Sequence, residues 1–189
     1  MNEGEKAGRE ADVPVEIERK YLLSGMPELP ASADTIEIQQ GYLPDVGVGR
    51  DATGGHVEGR LRRVVHPDGS VEFTHTIKRG EGVKRIEVEQ RIASEQFERS
   101  WPATEGRRVS KRRHRVRETM GSTTVIWEID EFTDRDLVLA EVELASEDSQ
   151  VVLPAWLAGS VVREVTCDPS YTNYELATGG KGERAERGR

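Results

Sequence analysis

Charged side chains recur at every second position in one segment after another of this 189-residue chain. Glu16, Glu18 and Lys20 alternate with other residues in Val15-Glu-Ile-Glu-Arg-Lys-Tyr-Leu-Leu23. The spacing returns as Glu58, Arg60 and Arg62; Arg85, Glu87 and Glu89; Lys111 and Arg113; Glu128 and Asp130; and Glu141 and Glu143. Carboxylates two apart suit a hard divalent cation, which prefers oxygen ligands. Arg and Lys two apart suit phosphate oxygens. Like charges close together on one strand repel, so pairs of both signs imply that something of opposite charge sits between them. The chemistry suggested is the binding of a metal and a polyphosphate.

Such pairs need strands to hold them, because successive strand side chains point to opposite faces and residues i and i+2 share one. The intervening positions are mostly apolar: Val15, Ile17 and Tyr21; Leu61; Ile86 and Val88; Val125, Trp127 and Ile129; Val138, Val142 and Leu144. An antiparallel sheet with one wet face also alternates, but a merely solvated face mixes Thr, Ser, Gln and Lys. In these strands carboxylate-x-carboxylate occurs four times, at Glu16/Glu18, Glu87/Glu89, Glu128/Asp130 and Glu141/Glu143, which points to a charged interior. Strands are expected near 15–24, 36–43, 58–66, 70–79, 83–92, 109–118, 122–130 and 137–145, a set suited to a closed antiparallel barrel. His66-Pro-Asp-Gly-Ser70, Arg79-Gly-Glu-Gly82 and Met120-Gly-Ser122 read as turns that make consecutive strands neighbours.

Three short helical pieces accompany the strands. Ser94 is expected to cap a helix whose Phe97 and Trp101 share a face before Pro102 stops it. Pro154–Gly159 and Ser170–Ala177 read as helical turns able to cover a barrel mouth. Residues 1–13 and 179–189 are polar, charged and glycine-rich and read as disordered tails around a domain over 14–178.

Composition narrows the function classes. Hydrophobic residues make up 35% and charged residues 33%, a low apolar share that fits a polar barrel interior. A formal net charge of −8 argues against long nucleic acid, which needs clustered positive surface. Cys167 is the single cysteine, so an intrachain disulfide and a thiolate metal site are excluded, and a reducing cytoplasm fits. No apolar run approaches the length of a membrane span, and the first residues lack the apolar core of a signal peptide. The expectation is a cytoplasmic protein without membrane or nucleic-acid partners, a monomer or homodimer.

In these motifs the sequence resembles the CYTH, or triphosphate tunnel metalloenzyme, family. Its Glu-x-Glu-x-Lys signature stands here as Glu16-Ile-Glu-Arg-Lys20. Gln40-Gly-Tyr-Leu43, Arg60-Leu-Arg62, Thr76-Ile-Lys78, Glu87-Val-Glu89, Lys111-Arg-Arg113, Glu141-Val-Glu143 and Glu164-Val-Thr-Cys-Asp-Pro-Ser-Tyr-Thr-Asn173 follow in family order. The run Trp101–Lys111 is most similar to the small prokaryotic inorganic triphosphatases.

The resemblance implies a mainly β protein, an eight-stranded closed antiparallel β-barrel with short peripheral helices, and a lumen that binds a triphosphate and one or two Mg²⁺ or Mn²⁺ ions. It implies that Lys20, Arg60, Arg62, Lys78 and Arg113, with Arg85 beside them, grip phosphate oxygens. Glu16, Glu18, Glu128, Asp130, Glu141 and Glu143 hold the metal in this reading, and Glu87 and Glu89 support the basic residues. Catalysis then consists of aligning water and stabilising charge on the phosphoryl and leaving oxygens. Either a second metal or Lys111 serves the water, and Tyr42 is either a core aromatic or a lumen hydroxyl assisting there.

The implied activity is metal-dependent cleavage of inorganic triphosphate to pyrophosphate and phosphate. One alternative is the same site acting on thiamine triphosphate or a nucleotide, including cyclisation of ATP; another is a non-catalytic polyphosphate-binding module. Residues 44–57 exceed the usual family connection and read as a loop. His56, His66, His75 and His114 lack ligand spacing and receive no role; Trp101, Trp127 and Trp156 read as packing residues; Asp168, Tyr171 and Asn173 read as caps of the last turn.

Overall fold

The computed structural model describes residues 17–44, 49–50, 56–79, 86–120, 123–146 and 148–179. Among the described residues, alternation becomes strand where it was read: β1 (Ile17–Leu23), β2 (Asp34–Tyr42), β4 (His56–Val65), β5 (Val71–Arg79), β6 (Ile86–Arg91), β7 (Arg108–Met120), β8 (Thr123–Phe132) and β9 (Val138–Leu144). Two short strands are additional: β3 (Gly49–Arg50), inside the segment read as a loop, and β10 (Val161–Glu164). All pairings are antiparallel, in the order β10-β1-β9-β8-β7-β2-β4-β5-β6, with β3 beside β4. The outer edge of β1 is taken by β10, through Tyr21↔Glu164 and Leu22↔Arg163. Among the described residues the ladder is therefore open between β6 and β10, where the sequence led us to expect a closed barrel.

The sheet nevertheless curls. Leu22, Leu139, Phe132, Val109 and Tyr42 come from five different strands, and all join one buried cluster with Val165, Tyr171, Leu176 and Ala177. The last two belong to helix α3 (Asn173–Thr178), which caps this end of the trough as expected. The helix α2 (Ala155–Ala158) does not lie over a mouth. Its Leu157, fully buried, packs on the outer face of β1, β9, β8 and β7 against Tyr21, Trp127, Ile129 and Val142. The apolar partners named in the sequence are mostly here, and Leu61 is buried as well. Val88 is the departure, at 60% exposure, because β6 ends the sheet and nothing among the described residues covers that face.

Helix α1 (Ser94–Ser100) continues into a 3-10 turn, Trp101–Thr104. Phe97 and Trp101 stack with centroids 4.8 Å apart, and Phe73 of β5 lies 4.7 Å from Phe97. The cap differs from expectation: Ala93 is the N-cap residue and no side chain caps the helix, since Ser94 Oγ bonds Glu95. Gly69, at φ 83°, closes the β4–β5 hairpin where the turn was read. No helix among the described residues is long and apolar enough to cross a membrane.

Gly41 of β2 shows how closely α1 and its turn abut the sheet. A Cβ there would lie 2.5 Å from Thr104 Oγ1 and 2.9 Å from the Trp101 ring, whereas one on Gly25 would meet nothing within 4 Å. Gly41→Ala should lower stability by about 1–3 kcal/mol in urea denaturation, the usual cost of overpacking. Gly25→Ala should change it little; equal effects would contradict this packing.

Candidate functional site

The concave face of the sheet carries the charged residues because alternation sends their apolar neighbours outward. Strand register then decides who meets whom. Arg113 on β7 lies opposite Asp130 on β8, Glu128 opposite Glu141 on β9, and Glu141 opposite Lys20 on β1. The Arg113 guanidinium donates from Nε and Nη2 to Asp130, at 2.7 Å each, from Nη2 to Glu141 at 2.9 Å, and from Nη1 to Glu128. Lys20 Nζ reaches Glu141 at 2.9 Å and Glu18 at 3.7 Å. Lys111 Nζ donates to Asp130 at 2.5 Å and to Asn173 Oδ1, on α3, at 3.1 Å.

The other wall is basic. Arg60 donates to Thr76 Oγ1 at 3.1 Å and to Glu89 at 3.3 Å, and Thr76 Oγ1 donates to Glu89 at 2.8 Å. Arg62 Nε donates to Gln40 Oε1 at 3.2 Å, and Gln40 Nε2 donates to Tyr42 Oη at 2.5 Å. Of Lys20, Arg60, Arg62, Lys111 and Arg113, Arg62 alone has no carboxylate within ion-pair distance among the described residues.

Burial makes these pairings matter, since a buried charge without compensation is costly. Burial, then Arg60 and Arg113, push the Arg62 guanidinium down to about 10. Burial, aided by Arg113 and opposed by Asp130, lowers Lys111 to about 8. Burial alone would raise Asp130 and Glu141, but Arg113 and Lys111 hold Asp130 below the usual carboxylate range, and Lys20 and Arg113 hold Glu141 there. In Glu128 burial prevails and its pKa rises.

The structure thus brings Lys20, Arg60, Arg62, Lys111, Arg113, Tyr42, Glu18, Glu89, Glu128, Asp130, Glu141 and Glu143 to one face. Glu16 and Arg85 lie outside the described residues, as do residues 1–13 and 180–189 of the tails, and Lys78 and Glu87 are described only as members of β5 and β6. Asp168 caps its 3-10 turn by accepting from Ser170, as read, but Tyr171 is a core residue and Asn173 holds Lys111. Thr172 is the residue that caps α3. Gln40 also escaped the sequence reading, although the Gln-Gly-Tyr-Leu motif contained it.

A metal would find oxygen donors. Glu18 and Glu143 are directly opposed across β1 and β9, an arrangement that is unfavourable for two like charges alone. Glu143 has no cationic partner among the described residues. An all-oxygen pair of this kind fits Mg²⁺ or Mn²⁺. Glu128, Asp130 and Glu141 are turned onto Arg113 instead, and no group of three acidic, His or Cys side chains among the described residues converges as a ready cage.

No protein-family model matches the chain. An inorganic triphosphatase from Nitrosomonas europaea is 36% identical over 166 residues, spanning 86% of this chain and 96% of that protein. The chain belongs to the triphosphate tunnel metalloenzyme family. It is similar to the crystal structure of the inorganic triphosphatase NE1496, with TM-score 0.57 and 35% identity over 87% of this chain and 95% of that one. An inorganic triphosphatase from Acetivibrio thermocellus is 44% identical over 52 residues, 26% of this chain.

Because Glu141 and Asp130 have lowered pKa values, the unfolded chain binds more protons than the native one in acid. Their stabilisation is complete above the unfolded values of roughly 4.3 and 3.9 and is lost as pH falls further. Glu128, raised, acts in the opposite sense. In EDTA, the melting temperature of the wild type should therefore fall more steeply below about pH 4 than that of Glu141→Gln. Parallel curves would mean that ionised Glu141 contributes nothing to the fold.

Proposed function

We propose that this chain hydrolyses inorganic triphosphate to pyrophosphate and phosphate with the help of Mg²⁺ or Mn²⁺. The observation that carries the reading is Arg62: a half-buried guanidinium with no carboxylate at ion-pair distance among the described residues, beside Arg60 and Arg113, is suited to receive an anion. A planar fork matches two phosphate oxygens, and family membership supplies the class of anion. Lys20, Arg60, Arg62 and Arg113, joined by Lys78 and Arg85, bind the phosphates. Glu18 and Glu143, with Glu16, hold the divalent ion, and Glu128, Asp130 and Glu141 serve it directly or through water.

The bound metal supplies Lewis acidity and neutralises charge on the phosphate oxygens. The protein's own part is positioning and electrostatic stabilisation. Water forms a new bond to a terminal phosphorus, the P–O bond to the pyrophosphate oxygen breaks with its electron pair, and the water proton passes to a base. Lys111 suits that task when neutral, since its amine is held by Asp130 and Asn173 and its pKa lies near 8. Tyr42 stands one layer nearer the capped end. The closed tunnel belongs to the same proposal: a triphosphate and its cation between the acidic and basic walls would draw them together.

The test is release of phosphate and pyrophosphate from inorganic triphosphate, ATP and thiamine triphosphate, each with Mg²⁺, Mn²⁺ or EDTA. Metal-dependent cleavage of inorganic triphosphate in preference to the others is expected; preference for an organic triphosphate would refute the substrate assignment, and binding without turnover would refute the enzyme. Arg62→Ala should weaken triphosphate binding by roughly ten- to hundredfold, the scale of a lost charge-assisted hydrogen bond. Glu143→Gln should lose metal-dependent turnover while keeping its melting temperature. Full activity in Glu143→Gln would remove that residue from the metal site.

A further inference from the structure

We infer that Gln40 is a positioning residue that links the anion-binding guanidinium of Arg62 to the hydroxyl of Tyr42. The inference rests on the triphosphatase reading and extends it to a residue outside the charged set. Gln40 is 0% exposed and sits directly across from Arg62 in the β2–β4 ladder, with Tyr42 two residues along the same face. Its amide has one orientation available. Arg62 Nε can only donate, so the carboxamide oxygen must face it, at 3.2 Å, and the NH₂ group must face Tyr42 Oη, at 2.5 Å.

Two consequences follow for chemistry. Anchoring Arg62 through Nε leaves its terminal nitrogens, the fork that matches phosphate, directed by the amide rather than by a neutralising carboxylate. Accepting from Gln40 obliges Tyr42 to direct its own proton away from Gln40, so the phenol's polarity is set by the same amide. Gly41, between them, is pressed on its outer side by Thr104 and Trp101, which fixes the backbone from which both side chains project. A neutral amide is required: a carboxylate would compensate Arg62 and let Tyr42 turn its proton back toward it.

The decisive variant is Gln40→Glu in the full chain, with triphosphate binding followed by calorimetry in EDTA and turnover followed with Mg²⁺. We expect a dissociation constant about tenfold weaker and a fall in kcat, with the melting temperature kept, since both hydrogen bonds can be remade in the variant. The double variant Gln40→Met/Arg62→Ala should bind no more weakly than Arg62→Ala alone, because the two substitutions remove one interaction and leave no unpaired carboxylate beside the triphosphate. Binding by Gln40→Glu within twofold of wild type, or effects that multiply in the double variant, would overturn the inference. If Gln40→Glu does not fold, Gln40→Met carries the test: it removes both hydrogen bonds without adding charge, and the weaker binding it causes must vanish in the Arg62→Ala background. Wild-type protein that neither binds nor cleaves triphosphate would overturn the functional reading and this inference with it, an outcome distinct from an active wild type indifferent to Gln40.

Discussion

The guanidinium of Arg113 is the interaction on which the trough depends. It binds carboxylates from two strands, Asp130 and Glu128 on β8 and Glu141 on β9, and through Glu141 it is joined to Lys20 on β1. Carboxylates placed side by side would otherwise push those strands apart. Because the cluster is buried, its members are not interchangeable with solvent, and deleting one leaves a charge whose solvation cannot be restored cheaply. Removing a single partner from such a pair typically costs about 3–5 kcal/mol.

This arrangement separates two requirements that usually conflict. The hydrophobic material that holds the fold lies outside the sheet, around Trp127 and Leu157, and at the end capped by α3. Away from its capped end, the concave face is thus left mostly to charged groups, with Ile36 and Ile38 of β2 as buried apolar neighbours of Arg113 and Lys111. Acid and base are concentrated on different strands: β1, β8 and β9 present carboxylates, all but Glu143 held by cations among the described residues, while β2, β4 and β5 present Arg60 and Arg62 among neutral partners, Gln40 and Thr76, with Glu89 at the far edge. A polyanion and a cation can each find a wall of opposite sign.

Much of this was legible in the sequence because a period of two is unambiguous once charges mark it. The strands and their faces followed from the spacing of Glu18 and Lys20, of Lys111 and Arg113, and of Glu141 and Glu143. The pairings did not. That Arg113 meets Asp130 and Glu141 depends on register between strands, a non-local property that no single segment encodes. β10, four residues long, offers too little alternation to be seen and forms only because β1 has an edge to receive it. Asn173 reads as a cap in isolation; its bond to Lys111 exists because α3 folds back over residues 62 positions earlier. Gln40 is uncharged, so the period of two that charges mark carries no sign of it.

The seam left open between β6 and β10 among the described residues has a bearing on aggregation. An exposed strand edge is a template for pairing with another chain, and natural sheets defend it with charge or brevity. Both defences are present: β10 is short and ends in Arg163 and Glu164, and β6 reads Ile-Glu-Val-Glu-Gln-Arg. Glu89, which holds Arg60 in the trough, thus also places a charge on this edge strand, so a substitution there would act on both the trough and the edge.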